Sequence, residues 1–302
     1  MGFHPKPRWR PLCLAWWPGG SASTNKVHTS IAVYNRHIRL VEQTTLNANR
    51  PVVLSVIQYQ DEILSGKLSV LDLIDRLDGL HVAGIELRRE IWPNYAQEIQ
   101  AAREKLQRKG LVVTYATFST LFSPDDAARK LLFHDIDTAK ALGAPLLRVF
   151  PGAVLTEIVK PSLDAAREAV TYADSQGITL ALENFGKTPG CRIDEIAAIL
   201  EAIPSPALKT NIDIGNYTTH GENVLSAIER LGTRAVYAHL KDKAGASSDA
   251  TTYLGGGVMP MEGIIRALNA LPQQMIYCFE FAGEGEPELR IEKSVQFLNG
   301  IR

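Results

Sequence analysis

The stretch ITLALENF, residues 178–185, carries two interleaved rows of side chains. One row is Ile178, Leu180 and Leu182; the other is Thr179, Ala181 and Glu183. A β-strand turns alternate residues to opposite faces, so the aliphatic row suits a layer of helices and Glu183 points the other way. The same test on Leu208–Ile214 sets Ile212 and Ile214 against Lys209, Asn211 and Asp213. At Ala235–Lys241 it sets Val236, Ala238 and Leu240 against Tyr237, His239 and Lys241. At Met275–Phe281 it sets Tyr277, Phe279 and Phe281 against Cys278 and Glu280. Glu86 and Arg148 also come out inward-facing, against Ile85, Leu87, Leu147 and Val149. Strands with an apolar outer row and a polar inner row are those of a barrel closed around a site.

The chain around these strands keeps one rhythm. From Pro51 onward, short β-branched runs alternate with longer amphipathic stretches, the signature of parallel strands joined by crossover helices. The earlier strands read as Val52–Gln58, Gly84–Arg88, Leu111–Phe118 and Leu146–Phe150. Helices read as Tyr95–Lys109, Asp125–Leu142, Leu163–Gln176 and Ile193–Ala202. Gly110, Gly143 and Gly177 each follow a helix, where a left-handed residue is wanted. Asp125 with Asp126, and Ser162 after Pro161, read as helix starts. Eight strands and eight helices predict an α/β fold, a (β/α)₈ TIM barrel over residues 51–302 as a single domain. An open doubly wound sheet is the alternative, but no GxGxxG follows the first strand. Residues 1–50 lack this periodicity and read as a loosely ordered N-terminal extension; Pro11 and Pro18 bracket an apolar stretch too short for a secretory signal.

Glu183, Asp213, His239 and Glu280 then converge from four successive strands at the carboxyl end, where barrel active sites are built. Three unpartnered carboxylates in a confined lumen repel and are driven toward protonation. A divalent cation resolves the conflict. Three oxygen donors and one imidazole suit Mn²⁺, Co²⁺, Mg²⁺ or Zn²⁺, one ion per site. The plainer reading pairs each acid with Lys209, Lys241 or Arg148 and leaves His239 as a core histidine. For one residue alone that reading is preferable; for four at matching depth the metal site is. Lys241 and Arg148 are fixed-charge donors that could hold a substrate oxygen or only balance charge. Glu86 is read as a substrate hydrogen-bonder or a partner of Arg148, and His220 as a solvated surface histidine. Gly255, Gly256 and Gly257 read as a flexible turn over the site.

Composition excludes several classes. The 302 residues carry 32 Lys plus Arg against 33 Asp plus Glu, a net charge of −1, which offers no cationic surface for nucleic acid or anionic lipid. No uncharged apolar run approaches the ~20 residues a membrane span needs. Cys13, Cys191 and Cys278 are far apart and odd in number, which argues against a disulfide framework and for a reducing, cytoplasmic location.

The segments ALENFG (181–186), NIDIGN (211–216), AHLKD (238–242), LGGG (254–257) and CFEF (278–281) resemble the xylose isomerase-like barrel superfamily over roughly residues 51–300. That group includes sugar and sugar-phosphate isomerases and epimerases, inosose dehydratases and the endonuclease IV type of nuclease. The resemblance implies one divalent ion held by Glu183, Asp213, His239 and Glu280. Ketose epimerases of the group resemble D-x-x-H at the sixth strand; here the pattern is Asp213-x-x-Asn216, and Asn216 can bond a substrate hydroxyl but cannot titrate. The implied activity is isomerisation or epimerisation of a small sugar, keto-sugar or sugar phosphate through a metal-stabilised enediolate, with Glu183 and Glu280 as the proton-transfer pair. Glu86, Arg148, Asn216 and Lys241 are the substrate-binding candidates. The partner is then a small carbohydrate, with homo-oligomerisation left open. Rival readings are an inosose-dehydratase-like lyase, an abasic-site endonuclease (disfavoured by Glu86 and Tyr115 where further metal-binding histidines belong) and a non-catalytic barrel.

Overall fold

The computed structural model describes residues 50–245, 248–282 and 286–301. The N-terminal extension read from the sequence lies outside the described residues, except for Arg50. That residue is buried and donates to the backbone carbonyls of Leu268, Leu271 and Gln273, so it belongs to the barrel.

Eight parallel strands close into a barrel. In chain order the strands are β1 (Val52–Ser55), β2 (Gly84–Arg88), β3 (Val112–Thr120), β4 (Leu146–Phe150), β5 (Thr179–Glu183), β6 (Leu208–Asp213), β7 (Ala235–Leu240), the short β8 (Asp242–Lys243) and β9 (Thr251–Thr252), and β10 (Ile276–Phe279). β8 and β9 form an antiparallel pair at the barrel mouth, and β10 closes the ring between β7 and β1. Helices Tyr95–Lys109 and Ile193–Ala202 occupy the expected bounds. Gly110, Gly143 and Gly177 end their helices at φ of 66°, 83° and 73°, in the left-handed region that favours glycine. Asp125 caps its helix, accepting from Ala128 N at 2.8 Å.

The row test holds. The outer rows pack against the helices in the main apolar core, which includes Leu180, Leu182, Ile212, Ala238, Leu240, Phe279 and Phe281. Inside, Val53, Leu146, Ala181, Tyr237, Ile276 and Cys278 fill the lumen floor, so the barrel is a packed core and not a pore. In register, Asp213 faces His239, His239 faces Cys278, and Glu183 faces Asn211.

Local chemistry shifts three expected boundaries. The first strand stops at Ser55, because a 3₁₀ turn, Val56–Tyr59, begins there with the Ser55 hydroxyl accepting from Ile57 N. Ile214 ends no strand: Asp213 Oδ1 accepts from Asn216 N at 2.9 Å and opens helix Ile214–Thr219. Ser162 is not a helix start, since helix Lys160–Gln176 begins two residues earlier with Pro161 in its first turn.

Candidate metal and active site

Glu183, Asp213, His239 and Glu280 are all buried at the carboxyl end of the barrel, and one donor atom from each lies within 4.8 Å of the others. His239 Nδ1 is the centre of the group. It stands 3.1 Å from Glu280 Oε2, 3.3 Å from Glu183 Oε2 and 3.6 Å from Asp213 Oδ2. It makes no well-formed hydrogen bond with any of them.

Glu86 explains the orientation of that ring. Its Oε1 accepts from Ser55 Oγ and Arg88 Nε, each at 2.8 Å. Its Oε2 accepts from Tyr237 OH and lies 2.9 Å from His239 Nε2. A carboxylate with four such partners is ionised and accepts only, so His239 Nε2 is the N–H donor. The Nδ1 lone pair is then left facing three carboxylates, the carboxylate–histidine support typical of a metal ligand. The residues present therefore fit a single divalent ion, with the quartet as its ligands and Glu86 as the group that orients His239. Glu86 was a substrate-binding candidate from the sequence; the structure places it with 0% exposure beneath the quartet.

The other candidates also gather on the quartet. Arg148 Nε lies 2.8 Å from Glu183 Oε2, while its Nη1 donates to Thr117 O at 2.7 Å and its guanidinium covers the Phe150 ring. Asn216 Nδ2 donates to Glu183 Oε1 at 3.2 Å, and Asn211 Nδ2 donates to Oε2 at 3.3 Å. Lys241 Nζ lies 2.5 Å from Glu280 Oε2 and 2.6 Å from Asp213 Oδ2. Asn184 holds Asp213 by a reciprocal pair, donating to its carbonyl at 3.0 Å and accepting from its amide at 2.9 Å.

Arg88 was missed by sequence reasoning. It bonds both Glu86 and Glu280 and is buried. The signal was present, since residues 86 and 88 share one face of β2. Asp242 was missed as well. Fully buried, it accepts backbone N–H groups from Lys243 and Met259 on Oδ1 and from Gly255 and Gly257 on Oδ2, at 2.8–3.1 Å. The glycine turn over the site is therefore tied to the barrel, not free. Phe150 stacks between Phe118 and Phe185, making an aromatic wall whose outer ring, Phe118, is exposed. His220 is half-buried, and its ring occupies the space a side chain at Gly186 would need. Cys278 lies in the lumen floor, where burial pushes its thiol well above the ordinary range.

The two glutamates sit in opposed electrostatic settings. Burial raises the Glu183 carboxyl, and Arg148 and His239 do not overcome it. Burial acts the same way on Glu280, but His239, Lys241 and Arg88 outweigh it and hold that carboxyl well below its usual range. For His239, burial favours the neutral ring, yet Glu280, Glu86 and Glu183 overcome it and raise the imidazole well above its ordinary value.

A family model described as a xylose isomerase-like TIM barrel matches residues 75–301. Fructoselysine 3-epimerase of Escherichia coli is 31% identical over 103 residues, 33% of this chain and 37% of that protein. The alignment thus spans little more than a third of the relative's length. Among solved structures, a probable 3-DHS dehydratase from Bacillus anthracis superposes with a TM-score of 0.68 at 14% identity, covering 82% of this chain and 98% of its own. A D-psicose 3-epimerase from Clostridium cellulolyticum, solved with D-tagatose, gives 0.67 at 14% identity, covering 83% and 99%. At these identities the structural likeness is one of fold. Among the described residues no helix is long and apolar enough to cross a membrane.

Proposed function

Since this chain belongs to the xylose isomerase-like TIM-barrel family, we propose that it is an epimerase or isomerase of a small ketose, keto-sugar or sugar phosphate, acting by proton transfer beside a carbonyl. The observation that carries this reading is the pair Glu183 and Glu280. They approach His239 Nδ1 to 3.3 and 3.1 Å, from β5 and from the residue just beyond β10. Two carboxyls brought to one centre from different strands suit a proton-transfer pair.

In the proposed mechanism Glu183, Asp213, His239 and Glu280 would hold one divalent ion, which would supply Lewis-acid charge beside the substrate's carbonyl. One of the two glutamates takes the proton from the neighbouring carbon. The other returns a proton to the opposite face, and Glu183 is held in position for either part by Asn211, Asn216 and Arg148. Lys241 and Asn216 are the proposed polar contacts for substrate oxygens at the mouth. Arg148 is spanned by Thr117, Phe150 and Glu183 and acts by fixing Glu183.

A dehydratase would use the same proton abstraction and then expel a β-hydroxyl. The resemblance to fructoselysine 3-epimerase favours epimerisation. An abasic-site nuclease needs further metal ligands; among the described residues both candidate ligand groups share His239, so neither supplies an independent second ion. The deciding experiment incubates the protein and a divalent ion with a panel of ketoses in D₂O. Deuterium at the carbon beside the carbonyl, with an epimeric or isomeric sugar as product, supports the reading. Loss of water without a second sugar identifies the lyase.

A further inference from the structure

We propose that the Lys241 ammonium is the resident counter-cation of the metal-free site, and that a divalent ion must displace it to bind. The inference rests on the metal-site reading above. Lys241 Nζ contacts Glu280 Oε2 and Asp213 Oδ2, the same two oxygens that stand 3.1 and 3.6 Å from His239 Nδ1. The ammonium therefore shares two of the quartet's donor oxygens. Two cations cannot share those oxygens at contact distance in a buried site without strong repulsion.

The neighbouring cations behave differently. Arg88 reaches Glu280 through the other oxygen, Oε1, and is also bound to Glu86. Arg148 contacts Glu183 and is pinned by Thr117. Of these three cations only Lys241 bridges two of the four ligands, and its stem carries the rotatable bonds needed to leave.

A second, independent observation concerns the path of that stem. It runs across Gly215, two residues beyond Asp213. A Cβ at position 215 would lie 2.6 Å from Lys241 Cγ, 2.8 Å from Cε and 2.9 Å from Cδ. Gly215 is not in the left-handed region, so its backbone does not call for glycine. The room it leaves for Lys241 does. Glycine here opens a track along which the ammonium enters the quartet and withdraws from it.

The test is calorimetric titration of the full-length, chelator-treated protein with Co²⁺, alongside the visible absorption of the bound ion. Wild type should take up one ion. Lys241→Met should bind it roughly tenfold or more tightly, because the competing ammonium is gone. Gly215→Ala keeps the charge but crowds the stem out of its track. Tighter binding there reports the position of the ammonium and not its charge alone, and it remains decisive if Lys241→Met fails to fold. If wild type takes up no Co²⁺, the metal reading itself fails. If wild type binds Co²⁺ and neither variant binds it more tightly, the competition is overturned while the metal site stands.

Discussion

At the scale of single residues, the site is a problem of buried charge solved by opposite charge. Glu86, Glu183, Asp213 and Glu280 are all buried among Arg88, Arg148, Lys241 and His239. Removing one partner leaves another uncompensated, so substitutions here act through neighbours as well as directly. Glu183→Gln and Glu280→Gln should each lower turnover by about 10²–10⁴-fold, the usual contribution of a positioned acid or base. Both should slow deuterium uptake at the substrate carbon, read by NMR at saturating ion. A variant with near-normal exchange and bound ion would show its glutamate to be a ligand only. Glu86→Gln should weaken the ion's affinity roughly 10–100-fold, as changes behind a metal-bound histidine do. Titration with Co²⁺ checks it, and unchanged affinity would remove Glu86 from that role.

At the scale of elements, two backbone approaches set the geometry. Asp242 closes the turn 254–259 over the mouth with four backbone hydrogen bonds to its carboxylate. Asp242→Ala removes the partner of four backbone donors, of which Lys243 and Met259 are buried, and should cost about 1–3 kcal/mol. The accompanying signature is faster amide exchange at Gly255, Gly257 and Met259, with the barrel strands unaffected. The second approach lies at the start of β2, where a Cβ on Gly84 would fall 1.8 Å from Val112 O. Backbone cannot yield as a side-chain tip can, so Gly84→Ala should destabilise the fold by on the order of 3 kcal/mol or more. A denaturant melt of that variant tests it, and a wild-type midpoint would contradict the close β2–β3 packing.

At the scale of the whole molecule, stability depends on pH through the same buried cluster that is the proposed ion site. Glu86 and Glu280 are held below the ordinary glutamate value of 4.5, burial being outweighed by their cationic neighbours. Their contribution is therefore present above about pH 4.5 and is lost as acid takes the pH down toward their folded values. His239 is displaced the other way, so its contribution in the metal-free protein is complete below its ordinary value of 6.5 and fades as pH rises through its higher folded value. An ion at the proposed site would compete with that proton, so ion affinity should fall as pH falls, and the ion's stabilisation should be largest toward neutral and alkaline pH. Thermal melts across pH, with and without Mn²⁺, resolve both effects. An Mn²⁺-induced rise that grows in acid would contradict the linkage. Removing residues 1 to about 45 should leave a cooperatively melting, active barrel, since that segment lacks periodic apolar faces; loss of the cooperative melt would place it in the core.

The sequence alone determined the barrel and, on six of its strands, the inward row that carries the site, because a period of two is written directly in which residues are aliphatic. ITLALENF could satisfy a helix layer in one way only, and that fixed Glu183 as inward. It also brought Glu183, Asp213, His239 and Glu280 to one end, because each stands at the carboxyl end of its own strand. What those neighbours do to one another was decided by the tertiary structure. Alternation gives direction but not distance, so it could not show that Glu86 reaches His239 Nε2 across the lumen, or that Arg88 bridges Glu86 and Glu280. Nor could it show why residue 215 is glycine, since the stem that needs the space belongs to Lys241, 26 residues further along the chain. Closing the ring brings strands from across the chain to hydrogen-bond distance, and at that range the roles of individual atoms are set.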